Sequence, residues 1–273
     1  MKKIPAFSIL SILLAAMVLS GCDSTQEART GVCGGNGIVG CQSVETHDSL
    51  APKVVMVKAR LNDHEASLCT GTLIARNVVI TAAHCLNGAQ SARVVFDVDP
   101  GCNPNFNPNS QSVEVKKAAI HPKYSKDVKG KYDLALLKLE SSAPSQYDVI
   151  RLYDGTSQLS SAGVTYAGYG RTSERNQTDQ ALRSVVKNYK ETIFFAKDSN
   201  MVSSQINGKG ICQGDSGGPV FFEVNHELQL AGVNSTVMGR SEAAVCRGAS
   251  EAMYIPAHMT WISKKLKEFT SKR

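Results

Sequence analysis

Short apolar runs rich in β-branched residues recur along the chain from Lys53 onward, punctuated by Gly, Pro, Asn and Asp. They span Val54 to Val57, Val78 to Thr81, Arg93 to Val98 and Gln111 to Val115. Others follow at Asp133 to Leu139, Val164 to Tyr169, Glu227 to Val233 and Ala252 to Ile255. Many short strands separated by turn residues predict an all-β sandwich or barrel with antiparallel pairing. The period changes near the C-terminus. Met259, Ile262, Leu266 and Phe269 fall at helical spacing with lysines on the opposite face, which predicts a helix from about Ile255 to Phe269. Asp99 to Ser110 holds four Asn and three Pro and predicts an exposed loop, whose turn chemistry accounts for those residues without an ion.

The N-terminal apolar stretch has a different character. Lys2 and Lys3 precede Ile4 to Leu19, 16 residues interrupted by Pro5, Ser8 and Ser11. That is shorter than the roughly 20 apolar residues of a bilayer span, so residues 1–21 read as a targeting segment to be removed. The stretch ends in Leu19-Ser20-Gly21-Cys22, which resembles the lipobox of bacterial lipoproteins. The resemblance implies that Cys22 becomes a lipidated N-terminus and anchors the chain to a membrane. Ordinary secretory cleavage, with Cys22 as one more thiol, is the alternative. Either route exports the chain, so the expected location is the bacterial cell envelope, lipid-anchored or released to the periplasm or exterior. Residues 22–37, polar with Gly34, Gly35 and Gly37, read as a tether and short pro-segment.

Composition narrows the function classes. The chain is 42% hydrophobic and 20% charged, which is ordinary for a globular protein. Its net charge of +6 includes two lysines of the targeting segment, and no long Lys/Arg run argues for a nucleic-acid partner. Eight cysteines in an exported chain read as disulfides. No C-x-x-C or H-E-x-x-H occurs, and His47, His64, His121, His226 and His258 share no ligand spacing, so no metal site is expected. Setting Cys22 aside leaves an odd number of thiols.

Three segments fit one reaction: Thr81-Ala82-Ala83-His84-Cys85, Asp133 heading the run to Leu139, and Gly214-Asp215-Ser216-Gly217-Gly218-Pro219. A serine hydroxyl attacks a carbonyl only if a base takes its proton, and histidine exchanges protons near neutrality. A buried carboxylate on the other ring nitrogen fixes the tautomer and stabilises the imidazolium. A tight glycine-rich turn can aim two backbone N–H groups at the developing oxyanion.

In the order His, Asp, Ser, these motifs resemble the chymotrypsin/trypsin family of serine proteases. The resemblance runs from Ile38 to about Phe269 and implies two packed antiparallel Greek-key β-barrels, with a C-terminal helix, over residues 38–273. It implies His84, Asp133 and Ser216 as catalytic triad, with the amides of Gly214 and Ser216 as oxyanion hole. It also implies Cys69–Cys85 and Cys212–Cys246 disulfides, and a serine at Ser235 that hydrogen-bonds the aspartate. Ser203 stands where a third family bridge has a cysteine, while Cys33, Cys41 and Cys102 have no family assignment. A Cys33–Cys41 pair is one possibility. Gly168-Tyr169-Gly170 resembles the family's G-W-G, and Thr236 stands where a tryptophan is usual.

The expected activity is endopeptidase hydrolysis of protein or peptide substrates by a monomer, without a cofactor. In the family's pattern the primary pocket has Gly210 at its base, with Ser235, Val237 and Ala252 around it. No aspartate sits at Gly210 to pair with Lys or Arg, and Val237 narrows the pocket, so cleavage after small aliphatic residues is expected. Gly37-Ile38-Val39-Gly40 resembles the family's activation site, where a new α-amino group at Ile38 would pair with Asp215. Asn36-Gly37 ahead of that bond argues against a trypsin-like activator. The competing reading is a catalytically inactive, protease-like binding module on the cell envelope.

Overall fold

The computed structural model describes residues 41–128, 130–171, 180–195, 199–241 and 244–271. Cys22, Cys33 and Ile38 lie outside them. Strands dominate: β1 (Gln42–Ser43), β2 (Val54–Arg60), β3 (Ala66–Ala75), β4 (Val78–Thr81), β5 (Ser91–Val95), β6 (Ser112–Ile120) and β7 (Ala135–Leu139) come first. There follow β8 (Arg151–Leu152), β9 (Gly163–Gly168), β10 (Arg183–Asn188), β11 (Ile193–Phe195), β12 (Asn200–Ser204), β13 (Pro219–Val224), β14 (Glu227–Met238) and β15 (Ala249–Tyr254). A helix from Ile255 to Thr270 closes the fold, one residue longer than its periodicity predicts.

The first unit is a closed six-stranded barrel in the order β2–β3–β4–β7–β6–β5. The second is a nine-stranded sheet, β1–β10–β9–β13–β14–β15–β12–β11, with β8 attached to β14 by a short parallel pairing that departs from the antiparallel expectation. The apolar runs are continuous, not alternating, because both faces of these strands are buried. In β2, Val55 and Val57 enter one cluster with Leu73, Val79 and Leu137. Val54 and Met56 enter another that also holds Tyr169, Phe221, Val233 and Ile262 of the second unit. That shared cluster fixes how the two units face each other. Strand β3 was not among the predicted runs, since Ser67, Thr70, Gly71 and Thr72 interrupt its apolar pattern.

In the loop after β5, Asn103 and Asn107 accept backbone N–H bonds from Asn105 and Asn109 as Asx turns. Asn103 and Gln111 also donate to the Asp97 carboxylate. The His121 ring stacks on Tyr132 at 5.0 Å and meets Trp261 of the C-terminal helix at 4.8 Å. This aromatic contact pins the helix beside the segment that carries Asp133. The two disulfides Cys69–Cys85 and Cys212–Cys246 are present. Cys41 and Cys102 are disulfide-bonded as well, so neither is a leftover thiol.

Among the described residues, no strand pairing closes the second sheet, but a side chain ties its two ends. Lys187 on β10 is 3% exposed, and its ammonium donates to Ser203 Oγ (2.6 Å) and the Ser204 carbonyl (2.5 Å) at β12. It has no carboxylate partner among the described residues, and burial pushes its pKa down to about 8 from 10.5. The folded protein therefore sheds this proton first. The cost of burying the charge is present below about pH 8 and is relieved as pH rises from 8 towards 10.5. Lys187→Met should match or exceed the parent protein in stability at pH 7, because an apolar chain replaces a buried charge. Between pH 8 and 10.5 the parent protein should gain stability relative to the variant. Denaturant midpoints of both across that range test this, and parallel pH profiles would refute it.

Candidate active site

His84 lies in a single 3-10 turn, Ala83–Leu86, one residue after β4, and Asp133 lies two residues before the start of β7, the neighbour of β4 in the barrel. The pairing of Thr81 with Ala135 therefore brings the two side chains together. His84 Nδ1 lies 2.7 Å from Asp133 Oδ2, and the His84 backbone N–H donates to Oδ1 at 2.8 Å. From the second unit, Ser235 Oγ donates to Oδ2 at 2.5 Å. Asp133 is 3% exposed. Burial alone would raise its pKa, but the bonds and charge of His84 and the Ser235 hydroxyl outweigh it and hold the carboxyl below the ordinary value. A bulge between Asn234 and Thr236 aims Ser235 at this carboxylate, so its hydroxyl is committed there.

Ser216 sits in the turn before β13. Its carbonyl accepts the Thr70 N–H at 2.8 Å and lies 3.8 Å from Cys85 Sγ, which is itself 4.0 Å from His84 Nε2. The Cys69–Cys85 disulfide thus underlies both serine and histidine. Its two sulfurs are bonded to each other, which leaves no thiolate beside His84 to ligate a metal. Ser216 Oγ makes no hydrogen bond to His84 in this structure. Gly214 has φ +99 and Gly217 φ +79, conformations that favour glycine. The Thr70 hydroxyl donates to the Gly214 carbonyl at 2.9 Å. With that carbonyl turned inward, the N–H groups of Gly214 and Ser216 have no acceptor among the described residues.

Asp215 points the other way, into the protein, and is fully buried. It accepts N–H bonds from Gly170 at 2.9 Å and Cys212 at 2.8 Å. A Cβ at Gly168 would stand 2.2 Å from Asp215 Oδ1, and one at Gly170 2.5 Å from its Cγ, so the carboxylate requires both glycines of the Gly-Tyr-Gly segment. Burial pushes its pKa up to about 7, against the pull of those two bonds and of Arg183. Its contribution to stability is full below the ordinary value of 3.8 and is lost as pH rises through about 7.

The remaining candidates line the wall formed by β14 and β15. Val237 faces Ser250 across the ladder, while Ala252 pairs with Asn234, two residues further along the same face as Ser250. Sequence reading missed Ser250, because the segment after Cys246 conceals the register. Gly210 is buried against the Gln205 side chain, another residue that the motifs did not point to. Beside His84 lies a cavity of about 250 Å³, bordered by Tyr124, Val128, Gly130 and Thr236. Of the other histidines, His121 and His258 are buried in the aromatic contact with Trp261, and His47, His64 and His226 are exposed.

A protein-family model described as Trypsin matches residues 38–262. Chymotrypsin-like elastase family member 1 of Macaca fascicularis is 31% identical over 211 residues, covering 72% of this chain and 78% of that protein. The Homo sapiens protein of the same name is 30% identical over 225 residues, covering 78% and 86%. The Canis lupus familiaris protein is 32% identical over 214 residues, covering 71% and 80%.

Proposed function

The chain belongs to the trypsin family of serine endopeptidases, and on that footing we propose that it cleaves peptide bonds by acyl transfer through Ser216. The observation that carries this reading is the 2.7 Å contact between His84 Nδ1 and the buried Asp133, with His84 Nε2 and the Ser216 carbonyl both beside Cys85 Sγ. In the proposed reaction Ser216 Oγ attacks the scissile carbonyl while His84 Nε2 takes its proton. The oxyanion is held by the two unoccupied N–H groups of Gly214 and Ser216. Nε2 then gives the proton to the leaving amine, and a water activated by the same nitrogen hydrolyses the acyl-enzyme. Asp133 keeps the ring oriented and offsets its charge. Small aliphatic side chains ahead of the scissile bond suit the Val237–Ser250 wall, in keeping with relatives named elastases.

The second part of the proposal concerns activation. A free α-amino group at Ile38 would add a second cation to the pull of Arg183 on buried Asp215 and would hold the Gly214–Ser216 turn in shape. Pairing raises the amine above its ordinary value of about 7.7–8.0. The stabilising pair is complete below that value and lost as pH rises through the raised one, so activity falls reversibly under alkaline conditions. Cys22 is proposed as the lipid anchor that places the chain at the bacterial cell envelope. Among the described residues, no helix is long and apolar enough to cross a membrane.

Three outcomes are expected. Ser216→Ala should fold like the parent protein yet lose hydrolysis of casein by a factor on the order of 10⁴ or more. An inactive binding module would show neither that difference nor labelling by a fluorophosphonate. N-terminal sequencing of active material should begin at Ile38, and the cleaved form should keep its thermal midpoint between about pH 4 and 7, where the uncleaved form loses stability. Full activity with residues 22–37 still joined to Ile38 would overturn the activation model. Cys22→Ser should move the protein from the detergent phase to the aqueous phase in a partitioning assay, and equal partitioning of both forms would rule out the anchor.

A further inference from the structure

We propose that Gln205 is the floor of the primary specificity pocket, and that it sets the pocket's depth by filling the space a longer substrate side chain would enter. The proposal rests on the endopeptidase reading above and says what that site selects. Gln205 follows β12 directly and is 1% exposed. Its backbone N–H donates to the Gly248 carbonyl at 2.8 Å, which roots it beside β15. Its Oε1 accepts the Ile211 N–H at 2.7 Å, and its Nε2 donates to the carbonyls of Ile211 at 3.0 Å and Cys246 at 2.9 Å. Both N–H bonds of the amide are therefore spent. The side chain spans from the segment leading to Ser216 across to the Cys246 side of the opposite wall, next to the Cys212–Cys246 disulfide.

The steric relation to Gly210 is close. A Cβ at Gly210 would lie 2.1 Å from Gln205 Oε1, 2.2 Å from Cδ and 2.5 Å from Cγ. The two residues share one space, and Gln205 occupies it. An acidic residue at position 210, the device that would bind a cationic substrate side chain, is excluded while Gln205 is present. The floor that remains is a neutral amide. A lysine or arginine entering the pocket would lose its water and gain no carboxylate. A cation already lies behind this part of the wall: Lys187 bonds Ser203, the ladder partner of Ser250. Depth and polarity therefore both favour a short apolar side chain.

The test uses the activated protein and peptide p-nitroanilides that differ only in the residue before the scissile bond: Ala, Val, norleucine, Glu and Arg. Wild type should cleave after Ala and Val at least tenfold more efficiently in kcat/KM than after norleucine, Glu or Arg, since misfit by one methylene is worth about 10-fold or more. Gln205→Ala should raise the norleucine-to-alanine ratio of kcat/KM about tenfold or more. Folding of the variant is checked by its thermal transition and by complete fluorophosphonate labelling. An unchanged ratio in folded Gln205→Ala overturns the proposal. So does a wild type that accepts norleucine, Glu or Arg as well as Ala, and this arm decides the matter even where the variant does not fold. Wild-type protein that neither labels nor hydrolyses any member of the series would defeat the endopeptidase reading itself, and the floor with it. Normal labelling combined with the wrong length preference would defeat the floor alone.

Discussion

Asp133 is the carboxylate on which both halves of the molecule close. It leaves the first barrel buried, and a buried carboxylate is tolerated only when its oxygens are filled. Two donors come from His84 in the same barrel, and the third is the Ser235 hydroxyl of the other unit. That third bond forms only if the two units pack in one relative position. The apolar cluster from Val54 and Met56 to Phe221 and Val233 supplies that position. Thr70 reinforces it, donating from its backbone to Ser216 and from its hydroxyl to Gly214 while receiving the Tyr169 N–H. The orientation of the histidine is thus a consequence of how the units meet.

Asp215 shows what happens when the same residue type is buried with fewer donors. Asp133 has three hydrogen bonds and a pKa held down; Asp215 has two backbone bonds and a pKa pushed up to about 7. Each neighbouring glycine is shaped around it, so the site is built for a carboxylate that its immediate surroundings satisfy only in part. The turn bearing Ser216 hangs on this residue. A cation arriving there would alter the stability of the turn and of the ionised carboxylate together, which gives an activating cleavage a physical means to act.

The segment around Gly210 follows another logic, in which a neutral side chain is buried to hold backbone. Gln205 holds its place by bonding backbone on both sides, and Gly210 yields the volume it needs. Lys187 links β10 to β12 with no carboxylate partner among the described residues, which burial makes costly but geometry makes useful. Both are polar side chains buried to hold backbone in place.

Local chemistry was legible in the amino-acid sequence. Continuous β-branched runs specify strands, the spacing of Met259, Ile262, Leu266 and Phe269 specifies the closing helix, and Thr81–Cys85 and Gly214–Pro219 carry the candidate catalytic residues in short stretches. Those features depend on neighbours in the chain, so the chain alone determines them. The rest depends on register and packing between distant segments. Asp133 and Ser235 are 102 residues apart, and Lys187 and Ser203 are 16 apart on strands each next to an end of one sheet. That Ser250 faces Val237, with Ala252 two pairs further along, was decided by a ladder that tolerates a bulge at Ser235. Gln205 has no motif, because a glutamine joins these segments only where the fold brings Gly210, Ile211 and Cys246 around it. Residue types and their local order determined what chemistry was available; only the tertiary structure decided which groups met, because the hydrogen bonds that buried polar atoms require are made across the core.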